Sequence, residues 1–254
     1  MSRIKNAFAN KAKIAYLTAG DGGGVEQSAA YFLALVQGGV NLLEVGIPYS
    51  DPVADGPVIQ AAMERALAAK TTVESSLEVV AKIRAKSEVA MILFTYYNPI
   101  QDDLAGFLTR AKQAGADGVL IVDLPYEESA NYRYVCKYLG LAPINVIAPS
   151  TSKARMKTVL TGLDQGFVYY ACQKGTTGTR DGLPADLPAQ IAAIREASSL
   201  PVAVGFGIAN SAMVEQILAL ADGCVVGSYL VKQLEQKIKP EELTALTKDL
   251  YHVT

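Results

Sequence analysis

The sequence predicts a (β/α)8 barrel, and three observations carry that prediction. Eight short apolar runs recur along the 254 residues, helical patterns lie between them, and the joint leading from helix to strand repeats. The runs are KIAYLT (13–18), NLLEVG (41–46), VAMILF (89–94), DGVLIV (117–122), PINVIA (143–148), GFVYYA (166–171), LPVAVG (200–205) and DGCVVG (222–227). Each is rich in Val, Ile, Leu and Tyr, is apolar at both alternations, and is bounded by Gly, Pro or Asp, as parallel strands covered on both faces are. Helical periodicity follows at 25–37, 73–86, 104–114, 187–197 and 211–220. The joints QGGVNLLEVG (37–46), QAGADGVLIV (113–122) and LALADGCVVG (218–227) each run from helix through a small residue and Asn or Asp into a strand. A doubly wound open sheet is the weaker alternative. No linker or composition shift divides the chain, so one barrel domain over 1–254 is expected.

Composition narrows the function. With 23 Lys and Arg against 25 Asp and Glu the net charge is −2, which leaves no basic excess for a nucleic-acid backbone. Half the residues are hydrophobic, which suits a globular core. Cys136, Cys172 and Cys224 show no metal-cage or disulfide spacing, and a reducing cytosol is expected. No apolar run approaches the ~18 residues that span a bilayer. His252, the sole histidine, lies at the C-terminal end, so neither histidine chemistry nor a bound metal is expected.

In a barrel the chemistry sits on the loops that follow the strands, and those loops hold the candidates. Glu44 stands inside the second apolar run, two positions before its closing glycine. A carboxyl group there either keeps its proton by desolvation and serves as a general acid, or pairs with a basic residue of a neighbouring strand. The next loop brings Asp51 and Asp55 before a helix opens at Pro57. Two carboxyl groups in different environments can protonate one atom and stabilise positive charge at another, whereas aspartates beside Pro or Gly also serve as turn or cap residues. After the seventh and eighth runs come GFGIAN (205–210) and GSYLVKQ (227–233), glycine turns into helices of the kind that hold a phosphate through backbone N–H groups. Gly178, Gly207, Gly227 and Ser228 are the candidate phosphate residues. Tyr169 and Tyr170 face opposite ways, so one lines the barrel and the other packs on helices. TAGDGGG (18–24) lacks the context of a dinucleotide fingerprint and reads as a flexible turn.

The run LLEVGIPYSDPVADGPVIQ (42–60) resembles the signature of the tryptophan synthase α-subunit family. The likeness continues in order through YYNP (96–99), VDLPYEES (122–129), KGTTG (174–178), VGFGI (204–208) and VVGS (225–228). It implies a lyase that cleaves indole-3-glycerol phosphate to indole and glyceraldehyde 3-phosphate without a cofactor of its own. It also implies that Glu44 is the acid–base group and that Asp55 stabilises the indole N–H. Tyr16, Phe94, Leu120, Val122, Val146, Tyr169, Thr177 and Phe206 would contact the substrate, and the four candidates above its phosphate. A pyridoxal-phosphate β subunit in an α2β2 assembly would receive the indole, touching Pro48, Asp51, Asn98 and Asp123. The chain departs from the family at Cys172, Gln173, Lys174 and Thr176, and at Gly22, where the family carries proline. Two rivals remain: another phosphate-binding barrel with a different acid–base set, and a degenerate α subunit that acts only as an allosteric module.

Overall fold

The computed structural model describes residues 2–172, 182–205 and 207–252. Among them, nine strands form one parallel sheet: β1 (Ala12–Thr18), β2 (Leu42–Gly46), β3 (Ala90–Thr95), β4 (Gly118–Ile121), β5 (Ala142–Pro143), β6 (Asn145–Ile147), β7 (Val168–Ala171), β8 (Val202–Gly205) and β9 (Gly223–Val226). Their order, β5-β4-β3-β2-β1-β9-β8-β7-β6, is that of a nearly closed barrel. The fifth expected strand is divided, and the division explains the closure. β5 pairs with β4, the Ile144 amide still donates to the Val119 carbonyl at 2.9 Å, and β6 pairs with β7. A single stretch of chain thus passes the pairing from one end of the sheet to the other.

Around this sheet lie α1 (Arg3–Ala9), α2 (Gly24–Gln37), α3 (Pro57–Ala68), α4 (Val73–Arg84), α5 (Leu104–Ala114), α6 (Ala130–Leu139), α7 (Lys153–Leu160), α8 (Leu187–Ala197), α9 (Ser211–Leu220), α10 (Ser228–Glu235) and α11 (Pro240–Leu250). Their ends are set locally. Asp103, Ser152 and Asn210 accept the amides of Gly106, Arg155 and Met213 as N-caps, and left-handed Gly115 and Gly140 stop α5 and α6. Among the described residues no helix is long and apolar enough to cross a membrane.

Alternation along the strands sorts the side chains into two cores. Leu17, Leu43, Val45, Met91, Leu93, Val119, Ile121 and Tyr170 face the helices in the larger cluster. Ile14, Leu42, Ile92, Leu120, Ile144, Ala203 and Val225 face inward and fill the lower barrel. Helix α1 joins this inner core through Ile4 and Ala7, and the rings of Phe8 and Phe167 lie 5.2 Å apart. The N-terminal mouth is therefore filled by apolar side chains, which leaves the C-terminal mouth for chemistry.

The repeated helix-to-strand joint has a structural purpose. Asn41 accepts the Lys13 amide at 2.8 Å, Asp117 the Met91 amide at 2.9 Å and Asp222 the Val202 amide at 2.9 Å. Each polar residue entering a strand thus ties down the start of its neighbour. TAGDGGG, expected as a flexible turn, is instead anchored. Asp21 is buried and receives two hydrogen bonds from Arg65 on α3, at 2.7 and 2.8 Å, while the Gly20 amide donates to Ser28. The left-handed glycines 22, 23 and 24 let the chain turn around that buried ion pair.

Candidate active site

One layer above the inner core, the same inward positions change character. Tyr16, Glu44, Phe94, Val122, Val146 and Tyr169 line a cavity of about 620 Å³ that opens at the C-terminal ends of the strands. Its rim is built by Ala54 and Asp55 from the loop after β2, by Gly205, Gly207 and Ile208, and by Gly227 and Ser228 at the start of α10. Two tyrosines roof this layer by lying across glycines. A Cβ on Gly46 would overlap the Tyr16 hydroxyl, and one on Gly205 would overlap that of Tyr169. Tyr16 meets Phe94 edge to face, with centroids 5.5 Å apart. A cleft of about 630 Å³ between α9 and α10 is equally large, but Asn210, Gln216, Lys232 and Gln233 line it and neither carboxyl group reaches it.

Glu44 is 1 % exposed, paired in register with Tyr16 of β1 and Ile92 of β3. Among the described residues its Oε1 has no hydrogen-bond partner and no basic side chain forms a salt bridge with it, so no described residue of a neighbouring strand supplies the ion-pair alternative. Desolvation alone pushes its pKa up to about 8, which leaves the carboxyl group protonated at neutral pH. Asp55 is 5 % exposed on the 47–56 loop. It is no helix cap, because Gly56 is the N-cap of α3; instead its Oδ2 accepts a 2.6 Å hydrogen bond from the Tyr96 hydroxyl. Burial raises its pKa while the tyrosine bond lowers it, so the two carboxyl groups sit in different environments.

The other expected positions divide. Tyr16, Phe94, Val122, Val146, Tyr169, Gly207, Gly227 and Ser228 line the cavity. Leu120 does not: it faces inward like Val122, but two residues earlier on β4, and belongs to the core beneath the floor. Thr177, Gly178 and Phe206 lie outside the described residues, as do Gln173, Lys174 and Thr176. Asp51, Asn98 and Asp123 are exposed on loops at the C-terminal mouth, although Asp123 already accepts the Tyr97 amide at 2.7 Å. Pro48 is buried, so its side chain is not on the free surface expected of a contact residue. Sequence reading passed over Tyr96. It is fully buried, its hydroxyl donates to Asp55 and accepts the Ala54 amide at 3.0 Å, and its ring lies 5.1 Å from that of Tyr49. YYNP was recognised as a motif, but nothing local separates Tyr96 from its neighbour Tyr97.

A parallel barrel whose upper layer holds a buried acid, with a second carboxyl group on the following loop and glycine turns at the same mouth, has the layout of the (β/α)8 enzymes. A family model for the tryptophan synthase alpha chain matches residues 3–252. A tryptophan synthase alpha chain from Coxiella burnetii is 48% identical over 251 residues, covering 98% of this chain and 97% of the relative. The crystal structure of subunit alpha from Legionella pneumophila superposes with a TM-score of 0.87 at 36% identity, covering 98% of this chain and 97% of that one. A structure of the tryptophan synthase a2b2 complex of Pyrococcus furiosus, described as one of mutual activation, matches with a TM-score of 0.85 at 35% identity, covering 94% and 96%. The chain belongs to the tryptophan synthase alpha chain family, a family of lyases whose reaction is the cleavage of indole-3-glycerol phosphate.

Proposed function

We propose that Glu44 and Asp55 carry the cleavage of indole-3-glycerol phosphate in this chain, which works as one barrel domain. The observation that supports this most directly is the buried carboxyl group of Glu44 in the cavity wall, whose Oε1 has no hydrogen-bond partner among the described residues. Glu44 gives its proton to ring carbon C3, which turns the ring into an iminium cation. The ionised Asp55 faces the ring N–H and stabilises that charge. The hydroxyl on the adjoining side-chain carbon then loses its proton as the carbon–carbon bond breaks. The bonding pair returns to the ring, so indole leaves neutral, glyceraldehyde 3-phosphate carries the new carbonyl, and the glutamate is reprotonated. Tyr16, Phe94, Val122, Val146 and Tyr169 supply the apolar slot for the ring.

Gly207, after β8, and Gly227 and Ser228, at the start of α10, hold the phosphate through backbone N–H groups. Gly227 supports a clean test. Its φ of −118° lies outside the left-handed region, and a Cβ there would stand 3.6 Å from Tyr16, an ordinary contact. Gly227→Ala, with its fold checked by thermal melting, should still bind indole, while glycerol phosphate binds at least ~10-fold more weakly. Unchanged glycerol phosphate affinity by calorimetry would remove Gly227 from the phosphate site.

The acid–base chemistry needs no cofactor here; pyridoxal phosphate belongs to the β partner, and the assembly is α2β2 in the cytosol. Asp51, Asn98 and Asp123, with Val53 at 77 % exposure between Asp51 and Asp55, form the rim that meets this partner. Docking there orders the Asp55 loop around the substrate, as lid closure does in other barrels. Titrating cognate β subunit into the indole-release assay, with sedimentation alongside, should raise kcat as the complex forms, and Asp51→Ala should weaken that activation more than it harms the free chain. A complex without activation would reject the coupling; no complex at micromolar concentration would reject the partner. Indole release at background in both states would leave only the allosteric-module reading.

A further inference from the structure

Among the described side chains that hold the catalytic loop from outside, Tyr96 has chemistry that bears on the reaction. Tyr96 follows β3 directly, is fully buried, and makes two hydrogen bonds with its hydroxyl, both to the loop after β2. The Ala54 amide can only donate, so it takes a lone pair of the phenol oxygen, and the phenol's own proton is committed to Asp55 Oδ2 at 2.6 Å. The donor itself is fixed. Its ring packs on Tyr49, and the amide of the next residue, Tyr97, is bound by Asp123. Among the described residues Oδ1 of Asp55 accepts no hydrogen bond, while Asp55 lines the cavity. One oxygen is therefore engaged from the loop side, and among the described residues the other has no donor and belongs to a side chain that lines the cavity.

We propose that Tyr96 is a positioning residue for the cleavage reaction, fixing the Asp55 carboxylate so that its second oxygen meets the ring N–H. The inference rests on the reading of Asp55 given above and deepens it. A hydroxyl donating to a carboxylate favours the charged form, and it opposes here the burial that favours the neutral one. Tyr96 thus opposes the rise that burial imposes on the Asp55 pKa, as well as orienting the carboxylate. The bond matters more as the ring becomes cationic than when neutral substrate first binds, so its loss falls on kcat more than on KM.

The test compares Tyr96→Phe, Asp55→Asn, the double variant and an enzyme carrying 3-fluorotyrosine at position 96, all assayed for indole release across pH. Tyr96→Phe keeps the ring and should melt close to the wild type. Its kcat should fall ~10-fold or more with a smaller change in KM. The acidic limb of its kcat/KM profile should move to higher pH, because Asp55 loses the donor that favours its charged form. The more acidic fluorophenol, a stronger donor, should move that limb to lower pH. In the Asp55→Asn background Tyr96→Phe should cost little more. Wild-type kcat and an unmoved limb in Tyr96→Phe, or a loss that persists in full without Asp55, would overturn the proposal. If Tyr96→Phe fails to fold, an unmoved limb in the fluorotyrosine enzyme does the same. Asp55→Asn turning over like the wild type would overturn the underlying reading with it, whereas an impaired Asp55→Asn beside an unaffected Tyr96→Phe would overturn the positioning role alone.

Discussion

Glu44→Gln is expected to bind indole-3-glycerol phosphate and release indole ~10³-fold more slowly than the wild type, the scale of a lost general acid. The amide matches the carboxyl group in shape and fits the same buried position on β2, so the barrel should stay intact. It cannot deliver a proton to C3. A loss under about tenfold, which is only ~1.4 kcal/mol in the barrier, would remove Glu44 as the proton donor. Stability should change in the opposite sense at high pH. The folded protein keeps the Glu44 proton up to about pH 8, while the unfolded chain releases it near the ordinary value of 4.5. The native state binds more protons across that window, so this group's contribution to stability is complete below it and falls as pH rises through it, by on the order of 5 kcal/mol. Glu44→Gln should lack that fall, and denaturant midpoints at pH 5 and pH 9 measure it.

Asp55→Asn is expected to lose ~10²-fold or more in kcat, the scale seen when one electrostatic stabiliser of a developing charge is removed. The amide can still accept a hydrogen bond from Tyr96, so the loop should keep its place, but the negative charge facing the cationic ring is gone. Affinity for indole, which is neutral, should change far less than turnover. Equal losses in both would point to a displaced loop rather than a missing charge.

Much of this site was legible in the sequence because it rests on local patterns. The resemblance of its short motifs to those of the family put Tyr16, Phe94, Val122, Val146 and Tyr169 around the substrate, alternation set Tyr169 and Tyr170 on opposite faces, and Glu44 stood out as the one charge inside an apolar run. Leu120, which the same resemblance put in the slot, lies beneath it, because neither a motif match nor the inward-outward alternation of a strand measures depth along the barrel. Helices α2, α4, α5, α8 and α9 follow clear 3.6-residue periods. Helix α1 is a seven-residue plug, and α6 reads ANYRYVCKYL with Tyr134 and Tyr138 on its exposed side, so neither announced itself. What remained hidden depended on distant partners. Asp21 is anchored by Arg65 and Asp55 by Tyr96, 44 and 41 positions away, and a glycine-rich turn or an aspartate before glycine looks the same with or without such a partner. Closure between β4 and β7 through one divided strand is likewise a property of the assembled sheet.

The ionisation of Glu44 is the claim on which the rest depends, and carboxyl-labelled glutamate followed by ¹³C NMR across a pH titration reads it directly, with Glu44 assigned as the resonance missing from Glu44→Gln. The wild-type resonance should titrate with a midpoint of about 8, so that the group is an acid holding its proton when the enzyme works. A midpoint near 4.5, the ordinary glutamate value, would contradict the assignment of this buried carboxyl group as the proton donor.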